Sequence, residues 1–160
     1  MIISPNWADV NFLLDLLKIK CKLEGVISYS EQETKEFGEK IGRKLKMGDV
    51  VALYGELGAG KTVLIKGITK GIGCEDQVKS PSFIFVHEYK GKFPVYHIDL
   101  YRANNLKDIM SLGIQEFLTN NGICLIEWAE KAKKLLPNPH IDIKLKILNK
   151  TTRGITLCGT

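Results

Sequence analysis

A chain of 160 residues with a net charge of +5 is long enough for one domain that buries roughly two-thirds of its unfolded surface. Four scattered cysteines exclude a disulfide scaffold and offer no metal-ligand spacing, so no structural metal is expected. No apolar run approaches a membrane span and no secretory signal is legible, so the reading is a soluble cytoplasmic protein whose modest basicity favours anionic partners.

Residues 1–25 carry mixed signals: Val10, Leu13, Leu14 and Leu17 fall at helical spacing, while Leu17 to Leu23 alternates like a strand. They are read as an N-terminal extension to a domain spanning 26–160. Ser30 with Glu33 three residues on forms a capping box, and Phe37, Ile41 and Leu45 continue as one helical face. Gly38 and Gly42, one turn apart on another face, permit close approach by another element or by a nucleotide base. Met47-Gly48-Asp49 turns into Val50 to Tyr54, a buried strand, and Val63 to Ile72 reads as a helix ending at Gly73.

Further on, Ile84 to Tyr89 and Val95 to Asp99 flank the turn Lys90 to Pro94, which predicts an antiparallel hairpin. A polar helical stretch broken at Gly113 follows to about Asn120. Ile123 to Ile126 is an apolar run expected in the middle of a sheet, ending in Glu127. A short helix from Ala129 is closed by Pro137 and Pro139. Ile141 to Ile147 alternates like a half-wet strand, and Ile155 to Cys158 is the last one. The expected fold class is α/β, a sandwich of helices on a mixed parallel and antiparallel sheet.

Gly55-Glu56-Leu57-Gly58-Ala59-Gly60-Lys61-Thr62 matches G-x-x-x-x-G-K-[ST], the phosphate-binding loop, and stands between a strand and a helix as such a loop must. A chance match in a chain this long is on the order of 1 in 100, before that context is counted. Glycines let successive backbone N–H groups turn towards phosphate oxygens, and the following helix dipole favours the same anion. Lys61 is placed to reach the β and γ phosphates, and the Thr62 hydroxyl to ligate Mg²⁺.

Hydrolysis also needs a carboxylate near the metal at a strand's carboxyl end. Asp99 and Glu127 both qualify: one is assigned to Mg²⁺, the other to the attacking water, and spacing does not decide between them beyond a slight preference for Glu127 on the metal. Ser80-Pro81-Ser82 stands where a γ-phosphate sensor is carried, Ser80 and Ser82 supplying hydroxyls; a plain turn explains it nearly as well. His87 and His97 read as packing residues on paired strands, Arg102 as an anchor for Asp99, and Trp128 as core or as a wall of the site. A small-molecule kinase is the alternative, but the chain shows only Arg43, Arg102 and Arg153 for an arginine-bearing lid. A GTPase needs N-K-x-D, and Asn105-Leu106-Lys107-Asp108 has its lysine one place late.

These motifs together, with Lys79-Ser80-Pro81-Ser82-Phe83, Tyr96-His97-Ile98-Asp99-Leu100-Tyr101-Arg102, Leu112-Gly113 and Leu125-Ile126-Glu127-Trp128, make the chain resemble the TsaE (YjeE) family of bacterial ATPases from about Ile27 onward. Glu56 replaces the family's usual Asp, and Ser82 its usual Thr. The resemblance implies a weak Mg-ATPase required for tRNA threonylcarbamoyladenosine synthesis, bound to the partner proteins TsaB and TsaD, with tRNA engaged indirectly. It also implies Mg²⁺ at Thr62 and Glu127, a hydrolytic role for Asp99, and Thr34 near the nucleotide. ATP is then the substrate and Mg²⁺ the cofactor.

Overall fold

The computed structural model describes residues 2–3, 24–75, 78–79, 85–119 and 121–159. Among them the strands are β1 (Ile2–Ile3), β2 (Glu24–Ser28), β3 (Val50–Tyr54), β4 (Val86–Tyr89), β5 (Val95–Asp99), β6 (Ile123–Glu127), β7 (Ile141–Ile147) and β8 (Arg153–Gly159). The helices are α1 (Glu31–Lys44), α2 (Lys61–Ile72), α3 (Leu106–Ser111) and α4 (Ile114–Thr119), with a 3₁₀ turn at Ala129–Ala132. One sheet holds the strands in the order β1-β2-β8-β7-β3-β6-β5-β4. Its centre, β7-β3-β6-β5, is parallel, while β4 and β8 run antiparallel to their neighbours, so the sheet is mixed as expected. The helical order α3 then α4, with Gly113 at φ 67° between them, also follows the reading.

Burial explains why the centre is apolar without alternation. Val50 to Leu53 and Ile123 to Glu127 are buried on both faces because helices cover each side. One layer sets Phe37, Ile41, Leu64, Ile65 and Ile68 of α1 and α2 against Val51, Leu53, Leu125 and Ile143. The other sets Ile109 and Ile114 against Val50, Ala52, Ile98, Cys124 and Ile126. Each fully buried Val, Leu, Ile or Phe among them contributes roughly 1.5–3 kcal/mol relative to exposure. Burial also pushes the Cys124 thiol up to about 12, so it acts as a small hydrophobe. β7 keeps the half-wet alternation that its sequence predicts.

The helix α1 starts as anticipated: Ser30 is extended and its hydroxyl accepts from the Glu33 N–H at 3.1 Å. The reciprocal bond lands one residue early, Tyr29 N–H donating to Glu33 Oε2 at 2.9 Å. Gly38 and Gly42 are used for close approach to a helix. A Cβ on Gly38 would lie 2.3 Å from the Leu64 carbonyl oxygen, and one on Gly42 would lie 2.0 Å from that of Ile68. Gly67 and Gly71 of α2 return the arrangement against Lys35 and Glu39 carbonyls at 2.0 and 2.1 Å. Two backbones therefore meet directly, which fixes α2 and the loop at its start.

Three readings need adjustment. The β4 strand begins at Val86, after Phe85 at φ 59°, and its predicted start at Ile84 lies outside the described residues. The second helix begins at Lys61, two residues before its apolar run, because Gly60 at φ 98° bends the chain into it without a side-chain cap. The last strand is longer than its apolar letters, since pairing with β2 and β7 recruits Arg153, Gly154 and Gly159 through backbone bonds. Of the expected extension, 1 and 4–23 lie outside the described residues, while Ile2–Ile3 pairs parallel to Gly25 and Val26.

Candidate functional site

The carboxyl ends of β3, β6 and β5 open onto a cleft of about 480 Å³ lined by Leu57 to Val63, Asp99, Tyr101, Arg102, Glu127 and Trp128. Each lining segment follows from its element. The phosphate loop is folded on itself by Ala59 N–H donating to the Glu56 carbonyl at 3.1 Å. Gly55 passes so close to β7 that a Cβ there would lie 2.6 Å from the Leu145 carbonyl oxygen. At the loop's tip, the Arg153 guanidinium donates to the Gly58 carbonyl at 3.2 Å, tying the β7–β8 turn to it.

Lys61 is curled back onto its own loop. Its ammonium donates to the Gly55 carbonyl at 2.5 Å and the Glu56 carbonyl at 3.0 Å, and lies 3.9 Å from the centre of a Trp128 ring. Burial lowers its pKa from the ordinary 10.5, and the nearby carboxylates, Glu127 foremost, pull the other way. Trp128 is a wall of the site. It adopts φ 58°, a left-handed conformation uncommon for a bulky residue, immediately after Glu127, and its ring packs 5.1 Å from that of Tyr101.

Parallel register puts Asp99 directly beside Glu127. The Thr62 hydroxyl donates to Glu127 Oε1 at 2.9 Å and lies 3.2 Å from Oε2. Asp99 is buried, and its Oδ1 accepts from the Tyr101 N–H at 2.9 Å. The cleft thus gathers Lys61, Thr62, Asp99 and Glu127, while Glu56, whose carbonyl accepts from Lys61, is not among its lining residues. Thr62 and Glu127 supply hard oxygens within hydrogen-bonding distance of each other at the start of α2, a donor set suited to Mg²⁺ completed by phosphate oxygens and water. Among the described residues no group of three His, Cys, Asp or Glu side chains forms a separate metal site.

Thr34 is elsewhere. It is buried in α1, 2.7 Å from the Ser28 hydroxyl, and is not among the cleft's lining residues. Ser80-Pro81-Ser82 lies outside the described residues. Asn105 is the cap of α3, its Oδ1 accepting from the Asp108 N–H at 3.0 Å while Asp108 Oδ2 accepts from the Asn104 N–H, so this near-match to a guanine-reading motif serves a helix start.

Two residues carry more than sequence reading assigned to them. His97, read as packing, is fully buried but places Nε2 2.8 Å from Glu127 Oε1. The available signal was its position two residues before Asp99, which puts both on one face of β5. Lys131 donates to the Tyr101 and Ala103 carbonyls at 2.5 and 2.9 Å and so fastens the segment after β5 to the 3₁₀ turn after β6. Nothing in its local sequence pointed there.

A family model described as threonylcarbamoyl adenosine biosynthesis protein TsaE matches residues 28–155. The chain belongs to the TsaE family. Among curated TsaE proteins, that of Treponema pallidum is 39% identical over 131 residues, covering 82% of this chain and 97% of the relative. The Bacillus subtilis TsaE is 38% identical over 126 residues, covering 78% of each, and the Rickettsia typhi TsaE is 42% identical over 126 residues, covering 78% of this chain and 87% of its own. The crystal structure of Bacillus subtilis YdiB superposes with a TM-score of 0.75 at 34% identity, covering 86% of each chain. The TsaE match starts at the end of β2 and ends in β8, so it contains every cleft residue named above.

Proposed function

We propose that this TsaE-family chain binds Mg-ATP in the cleft, hydrolyses it slowly, and serves tRNA threonylcarbamoyladenosine synthesis in the cytoplasm as the nucleotide-dependent partner of TsaB and TsaD. The observation that carries this reading is the convergence of Lys61 and Thr62, at the start of α2, on Glu127 and Asp99 at the ends of β6 and β5.

In the resting arrangement Lys61 is held by loop carbonyls and Trp128. Phosphate oxygens replace those carbonyls as acceptors, so the ammonium swings to the β and γ phosphates while the loop's N–H groups hold the rest of the chain of phosphates. Thr62 and Glu127 would hold Mg²⁺, which would supply charge neutralisation to the phosphates. Asp99, buried beside Glu127 and fixed by the Tyr101 N–H, accepts a hydrogen bond from water and orients its lone pair towards the γ phosphorus. The water oxygen–phosphorus bond forms as the bridging oxygen–phosphorus bond breaks, giving ADP and phosphate, with the water's proton passing to solvent or phosphate. Turnover that is slow in the isolated chain and rises when partners complete the site fits this reading.

ATP and GTP hydrolysis measured alone, then with TsaB, TsaD and tRNA, tests this. Stimulated ATP turnover is expected. Phosphate transfer to a metabolite without those partners would establish the kinase reading instead.

A further inference from the structure

The hydrolytic reading uses Lys61, Thr62, Asp99 and Glu127 but leaves two buried polar side chains behind Glu127 without a task. His97 Nε2 lies 2.8 Å from Glu127 Oε1. On the other side of the ring, Nδ1 lies 3.4 Å from the Tyr89 hydroxyl, which donates to the Lys79 carbonyl at 3.0 Å. His97 and Tyr89 are both 0% exposed and Glu127 3%. The series Tyr89, His97, Glu127, Thr62 thus crosses from edge strand β4 through β5 and β6 to the first turn of α2.

We propose that His97, backed by Tyr89, is the positioning residue that sets the Glu127 carboxylate for Mg²⁺; this rests on the Mg-nucleotide reading above. A carboxylate only accepts, so the ring nitrogen facing Oε1 carries the proton. That N–H fixes the rotation of a carboxylate whose other neighbour, the Thr62 hydroxyl, touches both oxygens and leaves rotation less defined. Without the donor, Oε1 is a buried acceptor lacking that bond, in a layer of Leu53, Leu125 and Tyr89, and Glu127 turns away. That removes a charged ligand from the metal. Tyr89, its hydroxyl 3.4 Å from Nδ1 and its ring 6.1 Å from the imidazole, limits the ring's movement by packing beside it.

A histidine needed only to fill space makes a different demand. Glutamine at 97 places its amide nitrogen near the Nε2 position, while asparagine reaches only the Nδ1 position; a packing role treats them alike, a positioning role does not. The test is calorimetric titration of the full chain with ADP, first in chelator and then with increasing Mg²⁺, for the wild type, His97→Gln, His97→Asn, His97→Leu and Tyr89→Phe. The expectation is that His97→Asn and His97→Leu lower apparent Mg²⁺ affinity about 10- to 100-fold. Metal-free ADP binding stays within about threefold, His97→Gln stays near wild type, and Tyr89→Phe loses about threefold, since its 3.4 Å contact is long for a hydrogen bond.

Wild-type affinity for Mg²⁺ in His97→Asn and His97→Leu, or equal losses in His97→Asn and His97→Gln, overturns the proposal while leaving the Mg-nucleotide reading intact. A wild type whose ADP binding ignores Mg²⁺ overturns the metal reading, and the proposal with it. If circular dichroism finds the asparagine and leucine variants unfolded, His97→Gln decides alone: a loss beyond about tenfold in Mg²⁺ affinity overturns the proposal.

Discussion

The helix α2 is held in two contrasting ways. Along its length it meets α1 through Gly38, Gly42, Gly67 and Gly71, where the absence of side chains brings backbone against backbone. At its N-terminal end it meets the sheet through Thr62, Glu127, His97 and Tyr89, where buried polar groups are matched donor to acceptor. The first contact is steric and tolerates no added atom; the second is chemical and tolerates isosteric change as long as bonding is kept. One region is therefore expected to control stability and the other function, and variants in each can separate the two.

The largest effect is expected in the glycine contact. Gly42→Val places atoms where the Ile68 carbonyl already stands, and overpacking costs about 3 kcal/mol or more at such a site. Denaturant unfolding without nucleotide should register it, and an unchanged midpoint would mean that α1 and α2 are not tightly joined.

Lys61→Ala comes next: stimulated hydrolysis should fall by at least about a hundredfold, because the ammonium that meets the phosphates is lost. Full activity in that variant would remove the loop from the mechanism.

Glu127→Gln keeps shape and loses charge. Apparent Mg²⁺ affinity should drop about tenfold or more while metal-free nucleotide binding holds, as followed by the adjacent Trp128 fluorescence. Loss of folding instead would make Glu127 part of the structural region.

The mildest expected change is with pH. Burial lowers the Lys61 pKa, so in the nucleotide-free protein its charge is lost at a pH below the ordinary 10.5. Below the lowered value the folded state bears the cost of a buried cation, and that cost is relieved as pH rises through it. Nucleotide affinity should move oppositely, weakening as pH rises and the ammonium is neutralised. A Lys61→Met variant should lack this alkaline dependence; finding it retained would assign the effect to another group.

Much of this arrangement was legible in the letters. The phosphate loop needs glycines, Lys and Thr in fixed spacing, and the strand before it and the helix after it left separate periodic signals, so the placing of Lys61 and Thr62 at the cleft was legible. The apolar run ending in Glu127 was legible as a central strand because double-sided burial removes alternation. His97 was read as packing, and its bond to Glu127 was not legible because that partner is 30 positions away, on a different strand. Lys131 and Arg153 went unassigned for the same reason: their acceptors belong to segments that only the fold makes neighbours. Thr34, placed near the nucleotide by resemblance, is bonded to Ser28 in the α1 layer, a local pairing that no motif recorded.

Local chemistry, read along the chain, therefore determined the elements, the phosphate loop and the pair of strand-end carboxylates, because caps, turns and periodicity act over a few residues. The tertiary structure decided that β6 lies between β3 and β5, which puts Glu127 against Thr62 and Asp99 beside Glu127. It also decided that the glycines of α1 face a second helix. Strand order and helix partner depend on contacts between distant segments, and those are selected by burial of the whole core, which no short stretch of sequence encodes.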